Sequence, residues 1–146
     1  MKIVVMKFGG TSVASVKKIK NVANIVSNQI NDNKVVVVLS AMAGVTNQLQ
    51  SFINEANLSR TNDILPSKES DLVMTSGEQV TVGLLSMILN QLDVRSIPLL
   101  GWQIPIVTDS NYEKSKILNI KNENILHYFE TYDVIVLAGF QGVNTE

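Results

Sequence analysis

Lys34-Val35-Val36-Val37-Val38-Leu39-Ser40 is apolar from end to end of its central run, with no alternation. A strand with one wet face alternates apolar and polar side chains. An unbroken β-branched run therefore reads as a strand covered on both faces, the situation of a parallel sheet. Upstream, residues 2–8 repeat the pattern and halt at Gly9-Gly10, a buried strand ending in a tight turn. Between the two, Val16, Ile19, Ala23, Val26 and Ile30 recur at steps of three and four, with Lys17, Lys18 and Lys20 on other faces. This spacing predicts an amphipathic helix beginning near Ser12, and strand, helix, strand makes a βαβ unit.

Downstream of the small-residue turn at 41–44, Val45, Leu49, Phe52, Ile53 and Ala56 suit a second helix. The polar stretch 57–70, with Pro66, reads as a loop, and 71–92 as a third helix of almost wholly apolar girth, central and buried. Residues 94–100 and 104–108 are short strands separated by Gly101-Trp102. Residues 117–132 are expected to carry another helix, and 133–139 a third buried strand that stops at Gly139. The alternation implies an α/β domain with a mainly parallel sheet sandwiched by helices, whose ligand site lies at the carboxyl ends of the strands.

Composition narrows the function. A chain of 146 residues fits one domain. With 45% hydrophobic and 17% charged residues it has the apolar surface for a packed core and none of the signature of disorder. Twelve Lys and Arg against thirteen Asp and Glu leave a net charge of -1, which argues against nucleic acid as a partner. The absence of cysteine excludes disulfides, thiolate metal sites and a cysteine nucleophile, and a lone His127 excludes multi-histidine metal sites. Residues 1–7 lack the apolar run and small-residue cleavage site of a signal peptide. The longest uncharged apolar-rich stretch, 79–92, is 14 residues long and too polar to span a bilayer. A soluble cytoplasmic protein without a membrane partner is expected.

Three segments rich in Gly, Ser and Thr converge on the predicted edge: 7–12, 40–46 and 139–142. Lys7, followed by Gly9-Gly10 and then Thr11-Ser12, offers a cation, a close-approach turn and helix N–H donors, which suits an anion. It matches neither G-x-x-x-x-G-K-[ST] nor G-x-G-x-x-G. A plain glycine turn with Thr11 or Ser12 as a helix cap explains the same residues. Ser40 to Thr46 could hold a small polar substrate, or form a turn with Thr46 as a cap. Glu78 could face a substrate ammonium group; alternatively, Thr75-Ser76-Gly77-Glu78 has the T-x-x-E spacing of a capping box. His127 reads as a packed or half-exposed side chain without a role, Trp102 as core or the lining of a pocket, and the three lysines of the first helix as its solvated face.

Taken together, Lys7-Phe8-Gly9-Gly10-Thr11-Ser12-Val13, the Val-rich strand ending Leu39-Ser40-Ala41-Met42, Thr75-Ser76-Gly77-Glu78-Gln79-Val80 and Ala138-Gly139-Phe140-Gln141-Gly142 resemble the aspartate kinases of the amino acid kinase family in order and spacing. KFGGTSV and SGEQV set the chain apart from acetylglutamate and uridylate kinases. The resemblance runs from Lys2 to the last residue and implies the carbamate kinase-like fold of that family. It also implies ATP-dependent phosphorylation of the L-aspartate β-carboxylate, the entry to lysine, threonine and methionine synthesis. By the same resemblance, Lys7 would contact the nucleotide phosphates and serve catalysis, beside Phe8 and the backbone donors of Gly9 and Gly10. Ser40, Thr46 and Glu78 would fall on the substrate side, Glu78 meeting the aspartate ammonium. Mg²⁺ would arrive with ATP, since no dedicated metal cluster is visible in the sequence.

In the family, the segment after GFQG continues into a Thr-Thr-Leu-Gly-Arg-Gly-Gly-Ser-Asp motif, the adenine-binding part of the domain and ACT domains. These 146 residues contain none of them. The expectation is a truncated kinase domain, its amino-terminal, substrate-binding portion, with little turnover alone. Its cut sheet would need to self-associate into a homo-oligomer or to join a separately encoded carboxyl-terminal half. The alternative is a non-catalytic remnant or binding module that keeps an anion and amino-acid pocket.

Overall fold

A computed structural model of the chain describes residues 2–57 and 67–144. In chain order the elements are β1 (Ile3–Phe8), α1 (Val16–Ser27), β2 (Lys34–Leu39), α2 (Val45–Ala56), α3 (Lys68–Gln91), β3 (Ser96–Leu99), β4 (Ile106–Thr108), β5 (Ile117–Ile120), α4 (Asn122–Tyr128) and β6 (Val134–Ala138). Four strands form one sheet in the order β1-β2-β6-β3, every pairing parallel. β4 and β5 form a separate antiparallel pair. The fold class is the α/β, mainly parallel one that the β-branched runs imply.

The valine run of β2 explains the layering. Val35, Val37 and Leu39 point to one face with Val134, Val136 and Ala138 of β6, under Ile19, Val22, Ala23 and Val26 of α1 and Val82, Leu85 and Leu89 of α3. Val36 points to the other face with Ile135 and Leu137, against Ile104, Ile106 and Phe129. Both faces are thus covered through β6 and through β2 after Lys34, which leaves Lys34 at the amino end of β2 as the polar position in these two strands. β1 differs because it is an edge strand: Val4, Met6 and Phe8 are half-buried, whereas Ile3, Val5 and Lys7 are exposed.

At the amino ends of the strands, Asp133 ties three of them together. It accepts from Lys34 Nζ at 2.7 Å and from Arg95 Nε and Nη2, each at 2.9 Å. The pairing with Arg95 and the bond from Lys34 hold the Asp133 carboxyl below its ordinary value.

Several expectations need correction. α1 starts at Val16, capped by Ser15, and the Ser12 and Val13 N–H groups instead close turns onto the Gly9 and Gly10 carbonyls. Residues 117–132 do carry a helix, α4, but only over Asn122–Tyr128, because Asp109 accepts from the N–H groups of Asn111 and Lys116 and pulls 117–120 into β5. Side-chain turn chemistry there overrides the apolar spacing. α3 is not buried all round: Leu72, Val80 and Met87 are exposed, and the buried stripe carries Ser70, Gly77, Glu78, Thr81 and Ser86 among its apolar residues. Trp102 is 65% exposed rather than core. Much of the loop expected at 57–70, Pro66 included, lies outside the described residues. Among the described residues α3 is long and apolar enough to cross a bilayer by length and composition, in contrast to the shorter stretch considered from the sequence. Its packing on α1, α2, β3 and β6 is that of a core helix in an α/β fold.

Candidate functional site

The carboxyl ends of β1, β2 and β6 meet as a single surface. Ser40 N–H donates to the Phe8 carbonyl at 3.2 Å, Ala43 N–H to the Gly10 carbonyl at 3.2 Å, and Gly139 N–H to the Leu39 carbonyl at 2.8 Å. The glycines permit this closeness. A side chain at Gly10 would meet the Ala41 carbonyl at 2.9 Å, and one at Gly139 the Leu39 carbonyl at 2.9 Å. The space over Gly9, by contrast, is open. Gly10 therefore serves the packing of loop on loop, while Gly9 leaves its backbone approachable.

α3 lies against this surface at Gly77, where a Cβ would sit 2.8 Å from that of Ala41 and 3.2 Å from Val45 Cγ1. That contact places the next residue, Glu78, at the end of β2. α3 starts at Lys68, with Ser67 accepting from Ser70 N–H at 3.1 Å, so Thr75 and Glu78 are mid-helix and form no capping box. Nor does Thr46 cap α2, whose N-cap is Gly44 at φ 88°.

Glu78 is 5% exposed. Its Oε1 accepts from Ala41 N–H at 3.0 Å, and its Oε2 is buried without a partner among the described residues. Burial pushes its carboxyl above the ordinary value, against the pull of the Ala41 N–H and its own. A buried carboxylate oxygen without a donor is costly in the free protein and well prepared for a cationic one. Thr81, one turn further along, donates its hydroxyl to the Ser40 carbonyl at 2.9 Å, sharing it with the Glu78 carbonyl at 3.0 Å.

The structure thus brings Phe8, Gly10, Ser40 and Glu78 together through direct or one-residue links. Lys7 and Thr46 stand exposed at the same edge, Lys7 opposite Val38 on β1 and Thr46 in the first turn of α2. Beside them, Gln141 of the β6 loop bridges two elements. Its Oε1 accepts from Gly101 N–H at 3.0 Å and its Nε2 donates to the Thr75 carbonyl at 3.1 Å. It also borders a cleft of about 240 Å³ with Asp71, Thr75, Thr108, Phe140 and Gly142. Thr81 and Gln141 escape a reading of the sequence by chemical type. Thr81 has a signal, since it stands three residues after Glu78 on one helix face. His127 is exposed on α4, away from this edge. Among the described residues no three His, Asp or Glu side chains cluster closely enough to hold a metal ion.

A profile of the amino acid kinase family matches residues 2–146. An aspartokinase of Rickettsia felis is 43% identical over 145 residues, 99% of this chain and 36% of that protein. The chain thus spans about a third of the length of the curated relatives it matches. Among solved structures, an aspartate kinase from Synechocystis superposes with a TM-score of 0.76 at 35% identity, covering 98% of this chain and 22% of the other. Aspartokinase III of E. coli, in complex with aspartate and ADP, superposes with a TM-score of 0.80 over 99% of this chain and 42% of the other. At 20% identity that likeness speaks for the fold alone.

Proposed function

This chain belongs to the amino acid kinase family, and from that premise we propose that it is the amino-terminal, substrate-binding portion of an aspartate kinase catalytic domain, acting on L-aspartate and ATP in the cytoplasm. The observation that carries the reading is the buried, unpartnered Oε2 of Glu78 at the carboxyl edge of a parallel sheet. An α-amino acid supplies the ammonium that this oxygen lacks. The aspartokinase relatives in sequence support the choice of amino acid and nucleotide.

The chemistry needs no general base. The β-carboxylate of aspartate is ionised at neutral pH. One of its oxygens attacks the γ-phosphorus, the bond to the β–γ bridging oxygen breaks, and ADP leaves with that electron pair. What the protein supplies is alignment and charge neutralisation. Lys7 sets a cation beside the phosphates, and the open backbone at Gly9, with Gly10 and Phe8, allows their close approach. Ser40 and Thr46 offer hydroxyls to the amino acid, and Glu78 fixes its ammonium so that the β-carboxylate faces the nucleotide. Mg²⁺ enters with ATP as part of the substrate.

The test is ATP- and L-aspartate-dependent acyl phosphate formation by the purified chain, trapped with hydroxylamine. Slow hydroxamate formation that Lys7→Ala abolishes is expected; formation no greater than in Lys7→Ala would overturn the kinase reading.

A further inference from the structure

Ser40 C=O and Ala41 N–H belong to one peptide unit, and α3 holds both of its ends. The carbonyl accepts from the Thr81 hydroxyl at 2.9 Å, and the N–H donates to Glu78 Oε1 at 3.0 Å. Glu78 and Thr81 stand three apart on the helix, so their side chains lie one above the other along the strand end. Thr81 is wholly buried and Glu78 nearly so; the bond from Ala41 N–H to Glu78 is buried and the one from Thr81 to the Ser40 carbonyl part-buried.

The plane of a trans peptide is rigid, so bonds at both ends fix its rotation and, with it, the backbone that carries the Ser40 side chain. The same grip commits Oε1 of Glu78 to the backbone and leaves Oε2 as the single oxygen for a ligand. From this geometry, and resting on the aspartate reading above, we infer that Thr81 is a positioning residue for amino-acid binding: it clamps the Ser40–Ala41 peptide so that Ser40 and Glu78 Oε2 face the same ligand. A hydroxyl that served only the helix would need no partner beyond the Glu78 carbonyl one turn back. Its reach across to β2 is what a purely local role leaves unexplained.

Thr81→Val has nearly the same shape and lacks the hydroxyl, whereas Thr81→Ser keeps it. Two readouts on the whole chain separate the clamp from its ligand. The first is the Ala41 amide signal in ¹H–¹⁵N spectra, followed as Glu78 titrates without ligand. The second is the affinity for L-aspartate measured in the same spectra. In wild type and Thr81→Ser the Ala41 signal should follow Glu78 ionisation, with affinities within about twofold of each other. In folded Thr81→Val the amide response should fall to less than half and the affinity by about tenfold. An unchanged amide response in Thr81→Val, or a lost response with unchanged affinity, overturns the inference. Where Thr81→Val does not fold, Thr81→Ser decides: retained response and affinity support the clamp, and a tenfold loss overturns it. Wild type that ignores L-aspartate defeats the substrate reading instead, and the amide comparison then decides the clamp by itself.

Discussion

Glu78 concentrates the chemistry at the scale of single residues. Burial raises its carboxyl above the ordinary value of 4.5, so the folded chain holds this proton more tightly than the unfolded one does. A raised carboxyl contributes stability that is complete below the unfolded value and is lost as pH climbs through the folded one. Glu78→Gln should therefore match wild type near pH 4 and exceed it in melting temperature at pH 7. A gap that stays constant across that range would contradict the buried, unpaired state. Glu78 and Ser40 could be singled out in the sequence because each stands in a short, ordered motif, and the fold brings them together through Ala41 N–H. The Thr81 hydroxyl and the double bridge of Gln141 were not, since both depend on which backbone group the fold carries into reach.

At the scale of elements, α3 contains its own internal control. Gly77 and Gly83 both lie inside this helix, where alanine is intrinsically better by about 1 kcal/mol. A Cβ at Gly83 meets nothing within 4 Å, while one at Gly77 falls 2.8 Å from Ala41 Cβ on the loop that α3 grips. Gly83→Ala should stabilise the chain by about 0.5–1 kcal/mol. Gly77→Ala should destabilise it by about 1–2 kcal/mol despite the better propensity, because the packing strain outweighs it. Urea melts of the two variants check both signs. The same contrast shows what periodicity can tell. The β-branched runs of β2 and β6 declared themselves because burial on both faces leaves one admissible composition. Within 117–132 the expected helix forms as α4, but residues 117–120 depart from it because Asp109, closing a hairpin from eight residues upstream of Ile117, decides for a strand there.

Across the whole molecule, the sheet is covered unevenly. Among the described residues β1 pairs only with β2, which leaves its outer edge open, and Val5 on its second face is 68% exposed. An apolar strand with an unpaired edge and a wet face invites another chain. Such an edge suits either the expected homo-oligomer or a separately encoded carboxyl-terminal half: for the homo-oligomer, sedimentation should show a mass that rises with protein concentration, and Val5→Lys should shift the balance toward monomer. A monomer at every concentration would contradict it.

Calorimetric titration of L-aspartate into the purified chain, beside Glu78→Gln, addresses the site itself. The assignment predicts saturable binding at pH 7 that weakens by about tenfold or more in the variant, as loss of a charge-assisted bond requires. Equal binding by both chains would show that the buried oxygen of Glu78 is not where the ammonium goes.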